Sequence, residues 1–241
     1  MYPIFNNEQR QLADIILKNN HIMPLSKLYS SHVQNLAIEW SYYSGKIEGN
    51  TYTFVQTEML LKDGIVSTRS YEEAKMLKNL YNTFISEVEY IKKEGHTETI
   101  DEKLIFRLHS QLADDLIENK MRGVLRMLPV RIAGTDYVPP FDVFAIEQRL
   151  SEITKEQNLY TNPLEKAVYL HCNIAKLQPF IDGNKRTSRM LESIALMNAD
   201  IIPVFSVNHN DFEKYKEGLL RFYETGDYTL YSDYLLNKKI A

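Results

Sequence analysis

The chain has 241 residues, 44% hydrophobic and 25% charged, a balance that suits a globular protein able to bury a substantial core. A net charge of −4 leaves no basic footprint and argues against nucleic acid as a partner. The lone cysteine, Cys172, excludes an internal disulfide, and six scattered histidines do not make a zinc site. No apolar run has the length of a membrane span, and the N-terminal residues lack the basic and apolar segments of a signal peptide. The expected location is therefore the cytoplasm, away from membranes.

Helical periodicity runs through most of the chain. Asn6 or Asn7 can cap a first helix with Leu12, Ile15 and Ile16 on one face. Val33, Leu36, Ala37, Trp40 and Tyr43 predict a second helix from about 31 to 44, stopping at Glu48-Gly49-Asn50, where glycine can take the left-handed cap. A short helix follows over 53–62, then a long one over 71–93 with Ala74, Leu77, Leu80, Phe84 and Val88 inward. The polar break at 93–97 is read as a boundary between an N-terminal helical region, 1–95, and a core, 96–241. Leu104, Leu108, Leu112 and Leu116 extend a helix over 100–119.

Residues 122–140 change character and read as a β-hairpin turning at Ala133-Gly134-Thr135 and ending at Pro139-Pro140. Helices resume at about 142–157, 163–178 and 184–198, the second ended by Pro179. The last two begin near Asn210 or Asp211 and near Tyr228 or Thr229.

The most informative stretch is residues 178–189, Gln-Pro-Phe-Ile-Asp-Gly-Asn-Lys-Arg-Thr-Ser-Arg. Gly183 lets the backbone bend and lets a ligand approach closely. The free amides at the next helix start favour an anion. Arg186 and Lys185 add positive charge, and Arg189 lies one turn beyond Arg186 on the same side. Asp182 can supply the single carboxylate that magnesium usually takes beside phosphate oxygens. These features predict a nucleotide polyphosphate with Mg²⁺. Helix punctuation alone is the other reading, since Pro, Asp, Gly and Asn are common at turns.

The stretch resembles the signature loop of the Fic (Fido) family, His-Pro-Phe-x-Asp/Glu-Gly-Asn-Gly/Lys-Arg-x-x-Arg, with Gln178 where that family carries its catalytic histidine. The resemblance implies a mainly α-helical Fic-fold bundle with a small β-hairpin flap. It implies transfer of AMP from ATP to a hydroxyl of a protein target. Asp182 would hold Mg²⁺, Gly183, Asn184 and Lys185 would cradle the α- and β-phosphates, Arg186 would bind phosphate and Arg189 the γ-phosphate. Lys185 in place of a second glycine is similar to the Doc branch, which transfers a phosphoryl group, whereas Gly183 is the commoner Fic choice.

Gln178 can position a hydroxyl but has no useful basicity near neutrality, and loss of general-base help typically costs about 10²–10⁴ in rate. His171 lies seven residues earlier on the same helix. That places it about 10 Å away along the axis, so it reads as a buried structural residue. Three readings stand: a slow or substrate-assisted transferase, a catalytically inactive nucleotide-binding or protein-interaction module, or a glutamine replacing a natural histidine.

Ser44-Gly-Lys-Ile-Glu48-Gly49 resembles the inhibitory motif of self-inhibited Fic proteins, in which the glutamate pairs with the loop's second arginine. Here the pair would be Glu48 and Arg189, a carboxylate competing with phosphate for one guanidinium. In the flap, Val130, Ile132 and Gly134 would align a target segment by strand addition. Tyr215 would line the nucleotide pocket. A protein target is the implied partner, a homodimer is left open, and a transcription-factor role, for which many longer relatives append a winged helix, is not expected.

Overall fold

The structure is a computed structural model that describes residues 3–65, 69–93, 95, 98–205 and 209–238, without the side chains of 209, 210 and 238. Ten α-helices lie among the described residues: α1 (Asn7–Asn19), α2 (Ser30–Ile47), α3 (Phe54–Asp63), α4 (Tyr71–Lys93), α5 (Glu102–Leu112), α6 (Val143–Glu156), α7 (Pro163–Leu177), α8 (Asn184–Met197), α9 (His209–Thr225) and α10 (Thr229–Lys238). α7 and α8 form the central antiparallel pair, joined by the 178–183 loop, with α5 and α4 against α8, and α9 and α10 against α7. α2 packs on α4, and α1 closes the far side on α10. One buried cluster draws on every one of these helices but α3, from Ile4 and Trp40 through Phe84, Leu108 and Ile194 to Leu236, while Leu60 of α3 packs with Tyr52, Ala74 and Leu77.

Local chemistry explains the ends. Asn6 Oδ1 accepts the Gln9 amide at 2.9 Å, and Gln9 Oε1 accepts the Asn6 amide at 3.0 Å. The same Gln9 donates to Asp233 Oδ1 at 2.6 Å, which ties α1 to α10. Thr53 caps α3 in the same way. Gly49 takes the left-handed conformation expected after α2. Asn210 and most of the 93–97 break lie outside the residues or side chains described, and Asp211 falls inside α9.

Three expectations are corrected. Ile15 does not face the core but is 52% exposed, because Ala13 and Ile16 carry the buried stripe of α1. The helix predicted over 100–119 ends at Leu112, whose carbonyl accepts from Arg186 Nη1 at 3.2 Å, and Asp115 then turns left-handed. No residue of 122–140 is in a strand. Arg126 replaces the ladder: its Nε donates to Gln178 O at 2.6 Å, its Nη1 to Leu128 O at 2.9 Å and its Nη2 to Pro140 O. One guanidinium thus gathers the base of the segment, which runs as an extended loop.

A charged triad anchors the end of α8 remote from the loop. Asn198 brackets the Glu98 backbone, accepting its amide at 3.0 Å and donating to its carbonyl at 2.8 Å. Arg107 reaches Glu98 at 2.5 Å and grips Glu87 at 2.5 and 3.0 Å. One cation faces two largely buried carboxylates. Burial, then the neighbouring Glu87, push the Glu98 carboxyl up to about 8. The folded chain therefore keeps a proton that the unfolded chain releases above its ordinary value of 4.5. Stability from this site is full below about pH 4.5 and is lost as pH rises towards 8. Glu98→Gln, which cannot ionise, is expected to be the more stable protein at pH 8.5 by roughly 1–2 kcal/mol and to lose the advantage near pH 5; urea denaturation at both pH values measures the difference.

Candidate active site

The loop between α7 and α8 is built by hydrogen bonds that leave little slack. Gln178 ends α7 in the left-handed conformation (φ 51°), and Pro179 blocks continuation. Its side chain folds inward, with Nε2 donating to Ala175 O at 2.6 Å and Oε1 accepting from Asn184 Nδ2 at 3.1 Å. Asn184 closes the loop by accepting the Phe180 amide at 2.8 Å and donating to the Phe180 carbonyl at 2.8 Å. The Arg126 amide donates to Pro179 O at 3.0 Å. Gly183 sits at φ 76°, and a β-carbon there would lie 3.4 Å from both Arg186 Nη2 and His109 Cδ2.

His109 of α5 is the floor of the loop. Its ring stacks on Phe180 at 3.7 Å between centroids, nearly parallel. The Gly123 amide donates to Nδ1 at 2.9 Å, so the proton sits on Nε2, which donates to Asp182 O at 3.0 Å. Burial lowers its pKa to about 4, so the ring is neutral. Arg186 is buried and turned inward, to Leu112 O at 3.2 Å and Asp182 Oδ2 at 2.9 Å. The Asp182 side chain itself remains 61% exposed at the mouth of the loop.

One turn further along α8, Arg189 is only 2% exposed. Its Nη2 meets Glu48 Oε1 at 2.6 Å and Ser44 O at 3.4 Å, its Nε meets Ser44 Oγ at 3.3 Å, and its Nη1 donates to Tyr215 OH at 3.1 Å. Helix α2 brings Glu48 there because Gly45 allows close approach to α4, where a β-carbon would lie 2.9 Å from Leu77 Cδ2. Burial pushes the Glu48 carboxyl up, but the charges of Arg189, Lys185 and Arg186 outweigh it and hold the group below its ordinary value. Burial would lower Arg189, yet Tyr215 and Glu48 more than compensate and its pKa is raised. The pair is ionised.

Beside this pair lies a cavity of about 290 Å³ walled by Lys46, Lys185, Tyr215, Ile132, Phe212 and Leu219, among others. Of the expected flap residues, Ile132 joins that wall, Val130 is half-buried and Gly134 is exposed against Leu220. Gln178, Asp182, Gly183, Asn184, Lys185 and Arg186 are thus gathered at one helix start, with Arg189, Tyr215, Ser44 and Glu48 beside them, and Gly49 just beyond. Asp182 is the loop's one carboxylate, and among the described residues no group of three or more His, Cys, Asp or Glu could hold a metal. A metal here would need further ligands from a bound anion and water, which suits magnesium.

Sequence reasoning missed His109 and Arg126. His109 continues the buried stripe of Ile105 and Leu112 at helical spacing, a signal that it faces the core. Arg126 sits in an aperiodic segment and gave no such signal. His171 is buried, as its structural reading implied.

Residues 99–196 match the Fic/DOC family, and the chain belongs to that family. The protein adenylyltransferase Fic of Drosophila persimilis is 32% identical over 174 residues, 68% of this chain and 32% of that protein. The chain spans about a third of the length of the curated relatives it matches. The fold is similar to that of Fic-1 from C. elegans (TM-score 0.80, 20% identity, covering 96% of this chain and 69% of that one). It is equally similar to a Fic family protein from Desulfovibrio desulfuricans G20 (TM-score 0.80, 18% identity, covering 99% and 74%).

Because Asn184 carries three of the loop's closing hydrogen bonds, Asn184→Ala is expected to destabilise the fold by about 2–3 kcal/mol, measured by urea denaturation.

Proposed function

We propose that this chain binds a magnesium nucleoside triphosphate, ATP by its family, along residues 182–186, and that Glu48 holds the site closed. The observation that carries this reading is the Glu48–Arg189 pair at 2.6 Å, beside a turn of free amides and a cavity of nucleotide-base dimensions. A terminal phosphate offers Arg189 the same acceptor geometry as the Glu48 carboxylate. Both cannot occupy the fork, so the carboxylate is a brake. Bound Mg²⁺, held on the protein side by Asp182, would neutralise phosphate charge.

The chemistry is AMP transfer to a hydroxyl of a target protein. The hydroxyl oxygen attacks the α-phosphorus, the bond to the β-phosphate oxygen breaks, and pyrophosphate leaves. The hydroxyl proton needs an acceptor. Gln178 cannot take it, and both ends of its amide are already engaged with Ala175 and Asn184. His171 is buried against Tyr215 and Glu192, on the inner side of α7. Transfer is therefore slow, and the same engaged amide supports a second reading, a nucleotide-binding module without catalysis. The Lys185 point charge favours retaining Doc-like phosphoryl transfer as a third outcome. The loop 126–140 would take the target beside the cavity. The chain works in the cytoplasm, without nucleic acid, alone or as a homodimer.

Two experiments test this. Glu48→Gly is expected to bind Mg-ATP at least tenfold more tightly than the parent by calorimetry, because a competing charged hydrogen bond has gone; unchanged affinity contradicts the brake. Gln178→His is expected to raise labelling of protein by ATP carrying a labelled α-phosphate by about 10²–10⁴. Equal, vigorous labelling by the parent would show that no histidine is needed.

A further inference from the structure

Behind Arg189 a line of polar groups runs through the core. Tyr215 OH, which accepts from Arg189 Nη1 at 3.1 Å, also lies 3.1 Å from His171 Nε2. His171 Nδ1 lies 2.8 Å from Glu192 Oε2, and the same oxygen accepts from Tyr231 OH at 2.5 Å. All of these side chains are buried, and they come from four different helices, α7 to α10. With the ring proton on Nδ1, on the side of that carboxylate, Nε2 accepts from the Tyr215 hydroxyl. The Tyr215 lone pair is then turned towards Arg189. The chain has one direction, from the Arg189 fork to Glu192.

Burying such groups is costly, and apolar side chains of similar volume would serve stability as well. What the line supplies is orientation. Arg189 has four contacts, of which only Glu48 is replaced when a phosphate arrives. Tyr215 fixes Nη1 and leaves Nη2 to Glu48 and the Ser44 carbonyl. Glu192 closes the line at its far end, beside His171 Nδ1 and on the Tyr231 hydroxyl.

We propose that His171 and Glu192 are positioning residues for the triphosphate: acting through Tyr215, they hold the Arg189 fork in the geometry that receives a terminal phosphate. The inference rests on the nucleotide-binding reading and goes beyond it, assigning two core residues to discrimination between nucleoside tri- and diphosphates.

The test uses the Glu48→Gly chain, with affinities for Mg-ATP and Mg-ADP measured by calorimetry. Adding His171→Phe is expected to reduce the preference for ATP over ADP by about tenfold, and adding Glu192→Gln by about threefold, while ADP affinity stays within about twofold. Should either variant fail to melt cooperatively, the other carries the test. An unchanged ATP-to-ADP ratio overturns the positioning role, and so does an equal loss for both nucleotides, which marks a merely structural effect. If Glu48→Gly binds neither nucleotide, the nucleotide reading itself falls and the inference with it. If it binds ATP tightly and the ratio ignores both substitutions, only the positioning role is lost.

Discussion

A buried guanidinium must have a partner, and the choice of partner for Arg189 organises this protein. The side chain sits inside the bundle, where an unpaired charge would cost several kcal/mol. Glu48 supplies the counter-charge from α2, far away in sequence and 2.6 Å away in space. Tyr215, which accepts from the same fork, lines the cavity beside the loop. On the proposed reading, what displaces Glu48 is an anion of similar shape, which a terminal phosphate would supply.

The rest of the architecture serves this contact. α8 is buried nearly all round, which is unusual for a helix carrying arginines, serines and a glutamate. Its hydroxyls are answered locally: Thr187 Oγ1 donates to Gly183 O at 3.0 Å, Ser188 Oγ to Lys185 O at 2.9 Å and Ser193 Oγ to Arg189 O at 3.0 Å. At its start, Asn184 and the inward Gln178 close the loop from above while the His109–Phe180 stack closes it from below. The result is a loop that is pre-formed, with Asp182 at its mouth. A site that needs no rearrangement to present its amides loses little entropy on binding.

Most of the helices were legible because their buried residues recur at helical spacing and their ends carry Asn, Thr, Gly or Pro. The loop was legible because its chemistry is compact in sequence. The Glu48–Arg189 pair was legible only through its motif, since no periodic signal joins residues 141 apart. Other features depend on tertiary structure. The α5 helix stops at Leu112 because a distant arginine claims its carbonyl, and the 122–140 segment lacks strands because Arg126 binds the carbonyls that a ladder would use. Ile15 fits the apolar period yet faces outward, where the stripe is narrower than the pattern suggests.

Gln178 gives the site its particular character. The glutamine is neither a base nor an idle substitute, for it locks Asn184 and so stiffens the loop that would hold the phosphates. The most direct measurement is a crystal structure of the Glu48→Gly protein with Mg-ATP. The account predicts the γ-phosphate within hydrogen-bond distance of Arg189 Nη2, in the place of the lost carboxylate, with Tyr215 still on Nη1. A nucleotide bound elsewhere, or phosphates that leave Arg189 untouched, would contradict it.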